Sequence, residues 1–399
     1  MKLSQKCLDI SESLTLAISA KAKQMKAEGK DVIGFGAGEP DFDTPEYIVE
    51  AAKKALAEGF TNYTPATGTL ELREEICQKF KKDNNLDYEP SQIIVSNGAK
   101  HSLYNTFQSI LNPGDEVLIS APYWVSYPEL VKMGAGKPVF VETSEANKFR
   151  MSVTDLKEKI NDNTKAILLN SPANPTGTVY SKQEMAEIAE LAVKNNIFIV
   201  SDEIYEHIIY GDTEHTSIAA LNSEVKDLTI VINGMSKAYA MTGWRIGFTA
   251  ADEEIINVMG NIQSHSTSNP NSIAQYASTA GLKEQNKATQ EINKMVSAFD
   301  KRRKFMVDKI EEISGLSSIT PEGAFYLMVN FEEIIGEKIN GKEIEGSLSF
   351  ADLLLESEEV AVVPGIAFGS DHHVRLSYAN SLENIKEGLN RIENFISNI

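Results

Sequence analysis

Short apolar runs alternate with amphipathic stretches between about residues 46 and 290. The runs are rich in β-branched side chains and nearly continuous, which is typical of strands covered on both faces. The stretches between them have helical periodicity, as in residues 181–196, where Ser181 is a suitable N-cap and Glu184 follows three residues later. This alternation predicts an α/β fold built on a mostly parallel, doubly covered sheet. The seven predicted strands are residues 92–97, 116–120, 138–143, 165–170, 197–203, 228–234 and 245–250.

The pattern changes after about residue 290. Residues 293–313 form one long amphipathic stretch, and mixed strands and helices follow, ending in a predicted helix near 381–397. We expect a large domain at residues 46–289 and a smaller α+β domain at residues 290–399, which the N-terminal arm, residues 1–45, joins. No Pro/Gly linker marks the boundary between them.

Charge and cysteine content narrow the class of protein. The chain has 38 basic and 57 acidic residues, a net charge of -19, which disfavours nucleic acid and anionic membranes as partners. Cys7 and Cys77 are the only cysteines, so a reducing compartment is expected. The sequence has neither a signal-peptide h-region nor a run of about 18 apolar residues. We therefore expect a cytoplasmic protein.

Polar side chains stand directly after four predicted strands, where open α/β sheets bind their ligands. Asp202 ends a buried strand, where a carboxylate needs a cation or a strong donor as partner. A loop running into a helix follows another strand, and its backbone N–H groups can meet an anion. The four segments are SNGAK (96–100), SPANPTG (171–177), SDEIY (201–205) and NGMSK (233–237).

A family resemblance covers most of the chain. Residues 236–248, SKAYAMTGWRIGF, resemble the lysine segment of the class I (fold type I) pyridoxal-phosphate aminotransferases. The segments SPANPTG, SDEIY, APYWVSYP, GAGEPDFDTP and VRLSYA resemble that family's other motifs and occur in its order, between residues 34 and 379. The nearest likeness is to the aspartate aminotransferases of bacterial and thermophile type. The resemblance implies pyridoxal 5'-phosphate as cofactor, amino and 2-oxo acids as substrates, and a homodimer with shared active sites.

The resemblance assigns cofactor roles to individual residues. Lys237 would bind the cofactor aldehyde and move the substrate's α-proton, and Asp202 would pair with the protonated ring nitrogen. Tyr205 and Asn174 would hydrogen-bond the phenolic oxygen, although a turn also explains Asn174. Trp124 would stack on the ring, with a core position as the alternative. The phosphate would be held by Gly98, Ala99, Lys100, Ser236 and Arg245, and by Tyr63 across the dimer interface.

Substrate recognition follows from the same resemblance. Arg375 would bind the α-carboxylate in a bidentate fork, and the Gly38 backbone would help from the other side. Trp124 and Asn174 would also face the substrate. Lys100 would bind the distal carboxylate of aspartate, with an ordinary solvated lysine as the open alternative.

Other functions stay open at this point. An aminotransferase for aromatic, prephenate, alanine or kynurenine substrates, or a C–S lyase, would use the same cofactor. Prephenate is disfavoured because Ser11 stands where relatives have a basic residue, although Lys6 is near. A cofactor-sensing regulator is opposed by the acidic charge.

No metal site is expected. His372 and His373 would point to opposite faces of a strand, and His207 and His215 lack partners in a ligand pattern. The Ala121–Pro122 and Asn174–Pro175 bonds are candidates for cis geometry.

Overall fold

The computed structural model describes residues 3–12 and 14–399, and the elements below refer to them. The α-helices, α1 to α14, are Gln5–Leu8, Leu14–Ala27, Glu46–Ala57, Leu70–Asn84, Ala99–Ile110, Ser126–Met133, Val153–Lys159, Lys182–Asn195, Ser223–Leu228, Glu253–Ser266, Ser272–Lys283, Gln285–Glu312, Ser347–Glu358 and Leu382–Ser397. The strands, β1 to β15, are Ile33–Gly34, Ile93–Ser96, Glu116–Ala121, Lys137–Glu142, Thr164–Asn170, Phe198–Asp202, Thr229–Gly234, Gly247–Ala250, Ser317–Ser318, Tyr326–Asn330, Lys338–Ile339, Lys342–Glu343, Val360–Ala361, Val363–Pro364 and His373–Ser377.

The central sheet has seven strands in the order β2-β8-β7-β6-β5-β3-β4. These are the seven strands that the apolar runs predict, so the mostly parallel α/β sheet is confirmed. One strand runs the other way: β8 is antiparallel to both β7 and β2. The sequence did not predict this reversal, because an apolar run shows burial and carries no strand direction.

Both faces of this sheet are covered. Along β5, Leu168 packs with Leu103 and Phe107 of α5, whereas the neighbouring Ile167 packs with Ile188 of α8 on the opposite face. Successive side chains of a strand point to opposite faces, so continuous apolar runs such as this one need two covering layers.

The predicted cap of α8 is present. The Glu184 amide donates to Ser181 Oγ at 3.3 Å, and the Ser181 amide donates to Glu184 Oε2 at 2.8 Å.

A second, antiparallel sheet has the order β14-β15-β10-β9 and forms a separate core with α12, α13 and α14. The long helix α12 runs from one core to the other. Its residues Ala288 and Ile292 pack with the large-sheet core, while Met295 and Phe299 pack with the second. The division at residues 289 and 290 therefore falls inside a continuous helix, and it stays a prediction.

The N-terminal segment packs on the second unit. Strand β1 pairs in parallel with β13, and Ala22 and Met25 of α2 contact Leu355 and Ala361. Within residues 3–12 and 14–399, none of the helices combines the length and apolar character that crossing a bilayer requires.

Candidate active site

One edge of the central sheet collects the polar segments predicted from the sequence. Ser96 at the end of β2 and Gly234 at the end of β7 both pair with Gly247, the first residue of β8. The loop after β7 carries Lys237, and Asp202 is the last residue of β6. These side chains therefore stand at the carboxyl ends of the parallel strands, where a ligand site is expected.

Lys237 presents a weakly basic amine at this edge. Its Nζ donates a hydrogen bond to the Gly38 carbonyl, so the loop after β1 closes over it. Burial lowers the pKa of the Lys237 ammonium to about 8 despite the opposing charge of Glu39, and the charges of Arg375 and Arg245 add to the decrease. A large share of this amine is neutral near pH 8, as a nucleophile requires.

Asp202 is a buried carboxylate without a cationic partner. Its side chain accepts from the Tyr127 hydroxyl at 2.8 Å and from the Ile204 amide at 3.3 Å. Burial raises the pKa of Asp202 to about 6, although these two donors lower it. No lysine, arginine or histidine nitrogen of the described residues lies within 4.0 Å of it, so a cationic ligand group would relieve the burial of its charge.

The predicted phosphate end lies at the start of α5. Gly98 precedes this helix with a φ of 86°, and a Cβ there would come within 2.3 Å of Arg245 Nη2. Glycine thus lets the guanidinium lie against the helix N-terminus. Arg245 Nη1 donates to the Thr242 carbonyl at 2.8 Å, and Nη2 reaches the Asn97 carbonyl at 3.4 Å. Backbone N–H groups and a guanidinium converge here, as anion binding requires.

Arg375 lies buried between two aromatic rings. Its guanidinium carbon is 4.3 Å from the Tyr326 ring centroid and 4.8 Å from that of Phe368. Nη1 donates to Asn174 Oδ1 at 2.8 Å and Nη2 to the Gly36 carbonyl at 3.3 Å, whereas the buried Nε has no partner. Burial lowers the pKa of Arg375.

The remaining predicted residues occupy varied positions. Trp124 packs edge-on to Tyr127 at 5.2 Å and lies under Lys100, whose Nζ is 4.9 Å from its ring. The Tyr205 hydroxyl contacts the Tyr326 hydroxyl at 2.9 Å. Ala99 begins α5, and Ser236 is buried beside Lys237. Tyr63 is 88% exposed on the surface, and no contact in this single chain joins it to the others.

Four of these side chains are cations without an acidic partner. Within the described residues, no carboxylate lies within 4.0 Å of Lys100, Lys237, Arg245 or Arg375. Together these four cations can receive anionic groups from a ligand.

Comparison with known proteins identifies the family. A family model described as "Aminotransferase class I and II" matches residues 30–392. This chain belongs to the class I and II aminotransferases.

Individual relatives agree. The chain is 50% identical to an aspartate aminotransferase of Bacillus subtilis, over 99% of both chains. It is 46% identical to a probable aspartate/prephenate aminotransferase of Aquifex aeolicus, over 100% of this chain and 99% of the relative. It is also similar to the solved structure of an aspartate aminotransferase from Thermus thermophilus with maleate, with a TM-score of 0.94, 41% identity and 99% of each chain covered. The resemblance drawn from the six motifs is confirmed.

Sequence reasoning missed two tyrosines of this aminotransferase site. Tyr127 lies inside the quoted segment APYWVSYP but was not singled out, although it donates to Asp202. Tyr326 lies in an apolar stretch that resembles plain core, and only the fold brings it to Arg375 and Tyr205.

A buried polar cluster behind the site was also missed. Glu203 and Glu206 lie near His215, and Lys79 pairs with Glu206 from 127 positions away in the chain. The Lys79 ammonium already neutralises the Glu206 carboxylate and lies where a metal cation bound to that carboxylate would have to lie.

The peptide bonds before Pro122 and Pro175 are cis, as predicted, and so is the Ser171–Pro172 bond, which was not.

Proposed function

We propose that this aminotransferase moves the amino group of aspartate to 2-oxoglutarate, giving oxaloacetate and glutamate through a ping-pong route with pyridoxal 5'-phosphate. The observation that carries the proposal is the set of three unpaired cations around a weakly basic lysine and an unpaired buried carboxylate. The names of the relatives from Bacillus subtilis and Thermus thermophilus support the choice of aspartate.

The donors fit the proposed cofactor at both of its ends. Asp202 would hold the protonated ring nitrogen, because it is a buried carboxylate that accepts only from Tyr127 and Ile204 and has no cation within 4.0 Å among the described residues. Arg245, Ser236 and the start of α5 would hold the phosphate. When bound, the cofactor would supply an aldehyde that condenses with amines and a ring that draws electrons from the substrate α-carbon.

Lys237 is the residue for the proton transfer. Its Nζ, with a pKa of about 8, would accept the proton from the α-carbon of the amino donor. In the second half of the reaction it would give a proton to the α-carbon derived from the oxo acid. Amines titrating near the working pH suit both directions of transfer. The Gly38 carbonyl, which accepts from this Nζ, fixes its position between transfers.

Arg375 and Lys100 would recognise the two carboxylates of a dicarboxylic substrate. The Arg375 fork is held in place by its two rings and by Asn174, so little ordering is needed when a carboxylate binds. Lys100 is exposed overall, but partial desolvation and then the charge of Arg245 lower its pKa, and its ammonium would meet the distal carboxylate.

A panel of amino donors with 2-oxoglutarate tests the proposal. We expect aspartate and glutamate to give the highest kcat/KM. The substitution Lys100→Ala should lower kcat/KM for aspartate by about 10- to 100-fold and for alanine by less than about threefold, since only aspartate loses an ion pair. Lys165→Ala is the matched control, because Lys165 also lies over an aromatic ring, that of Phe198 at 5.2 Å, near the start of β5.

Several results would contradict this choice of substrate. Equal losses for aspartate and alanine would assign Lys100 to the phosphate alone. Release of pyruvate and sulfide from cysteine, without amino transfer, would favour a C–S lyase. An aromatic donor or prephenate as the best substrate would change the specificity.

The prephenate alternative rests on the N-terminal arm. The Ser11 amide donates to Glu129 Oε2 at 3.1 Å, so this point of the arm lies against α6. The side chain of Lys6 lies outside the described residues. Prephenate therefore belongs in the panel as an amino acceptor.

A homodimer is part of the proposal. The exposed Tyr63, with Leu56 and Leu70 exposed on either side of it in the sequence, supports an interface on this part of the surface. We expect sedimentation to give twice the chain mass of 43.9 kDa, and a monomer would contradict the shared site. The cytoplasmic location stays a prediction.

A further inference from the structure

We propose that Tyr326 is a positioning residue for this site: its ring holds the Arg375 fork in place, and its hydroxyl directs the single proton of Tyr205 toward the ligand. The inference rests on the proposed function and adds a residue to it.

The geometry places Tyr326 between the two groups. It is fully buried at the start of β10, in a sheet that also contains Arg375 on β15. The Arg375 guanidinium lies 4.3 Å from the ring centroid, within the range of a cation–π contact. The Tyr326 hydroxyl lies 2.9 Å from that of Tyr205, a hydrogen-bond distance.

The direction of this hydrogen bond decides what Tyr205 can do. Each phenol has one proton, so when Tyr326 donates to Tyr205, the Tyr205 proton is left for a ligand oxygen. Burial raises the pKa of both phenols, and the charge of Arg375 opposes that rise. Because the Arg375 guanidinium contacts the Tyr326 ring directly, at 4.3 Å from its centroid, Tyr326 is the favoured donor of the pair. A hydroxyl that accepts one hydrogen bond also donates a better one.

Two substitutions separate the two jobs. Tyr326→Phe keeps the ring over Arg375 and removes only the hydroxyl. Tyr326→Met fills much of the same volume with a flexible side chain and removes both the ring and the hydroxyl. Tyr210→Phe is the matched control, because Tyr210 is another buried tyrosine whose hydroxyl donates to a main-chain carbonyl, that of Ala324, in the same core.

The first measurement is the pH midpoint of the visible absorbance of the protein loaded with pyridoxal phosphate. Donors to the phenolic oxygen lower this midpoint, so Tyr326→Phe should raise it by about half a unit, somewhat less than one ordinary hydrogen bond is worth. In a Tyr205→Phe background the same substitution should have almost no effect, because the two hydroxyls act as one unit.

The second measurement is the affinity for maleate, a dicarboxylate that cannot react. Tyr326→Phe should stay within about threefold of the parent, and Tyr326→Met should bind about tenfold more weakly.

An unchanged midpoint in Tyr326→Phe, or an equal shift in the Tyr205→Phe background, would overturn the role of the hydroxyl. Parent-like maleate affinity in Tyr326→Met would overturn the role of the ring. If Tyr326→Met does not fold, the Tyr326→Phe titration decides the proposal. Failure of the parent protein to bind either pyridoxal phosphate or maleate would instead refute the proposed function.

Discussion

Replacing Asp202 by asparagine should stabilise the cofactor-free protein at pH 8. The pKa of this buried carboxyl is raised in the folded state from 3.8 to about 6. The folded state therefore binds the proton more tightly than the unfolded state does. Above about pH 6 the folded protein carries an unfavourable charge, and below about pH 4 both states are protonated and the penalty is gone.

The pKa difference sets the magnitude. One pKa unit corresponds to about 1.4 kcal/mol, so the rise to about 6 amounts to about 3 kcal/mol at pH 8 and roughly half of that at pH 5. Asp202→Asn removes this charge, and its amide oxygen can still accept from the Ile204 amide while its NH2 group donates to the Tyr127 hydroxyl, which can also accept. The free energy of unfolding should rise by up to about 3 kcal/mol at pH 8, and the gain should shrink on acidification.

Urea unfolding of the cofactor-free protein at pH 8, 6 and 5 measures the effect. Glu206→Gln is the matched control with the opposite sign. Burial alone would raise the pKa of Glu206, but Lys79, His207 and His215 outweigh burial and hold it well below its usual range. Its stabilising contribution is present at neutral pH and is lost on acidification through its folded pKa. Glu206→Gln should therefore destabilise the protein by a similar amount at pH 8 and pH 5, because this stabilisation is lost only below the ordinary carboxyl pKa of 4.5.

Bound cofactor should reverse the order of stability of the parent protein and Asp202→Asn. Pyridoxal phosphate would give Asp202 its cationic partner, so it should stabilise the parent more than Asp202→Asn. A gain from Asp202→Asn that is the same at pH 8 and pH 5, or no gain at pH 8, would refute the view that this carboxylate is unpaired and strained for function.

Two further substitutions probe the ends of the proposed cofactor. Tyr127→Phe removes the hydroxyl that donates to Asp202 at 2.8 Å and should weaken pyridoxal phosphate binding about tenfold. Unchanged affinity in a fluorescence titration would show that Tyr127 does not support cofactor binding. Arg245→Gln should weaken binding of pyridoxal phosphate about 100-fold and leave that of pyridoxal within about threefold, since only the phosphate loses its charged partner; equal losses for both would contradict the phosphate assignment.

The sequence predicted the fold because its signals are local. Runs of β-branched residues locate all seven strands of the large sheet, and Ser181 with Glu184 marks the start of α8. Strand direction is not local, so the reversed β8 could not be predicted in this way. The long helix α12 was predicted to start at about residue 293, whereas it begins at Gln285.

The residues of the candidate site likewise fall into those that local sequence signals predict and those that they do not. Asp202 and Lys237 follow strands, and the chain's own topology brings strand ends together, so their proximity could be predicted. Tyr326 contacts Tyr205, which lies 121 positions earlier in the chain. The two residues belong to different predicted domains, so no local pattern links them. Its segment is apolar on both sides and has only the periodicity of core. Such partners can be found only once the two sheets are placed against each other.

Borohydride reduction of the protein loaded with pyridoxal phosphate, followed by peptide mass mapping, tests the central claim most directly. We expect one covalently labelled residue, Lys237, and no label in Lys237→Ala. A label on Lys100 or on another lysine, with Lys237 unmodified, would contradict the account.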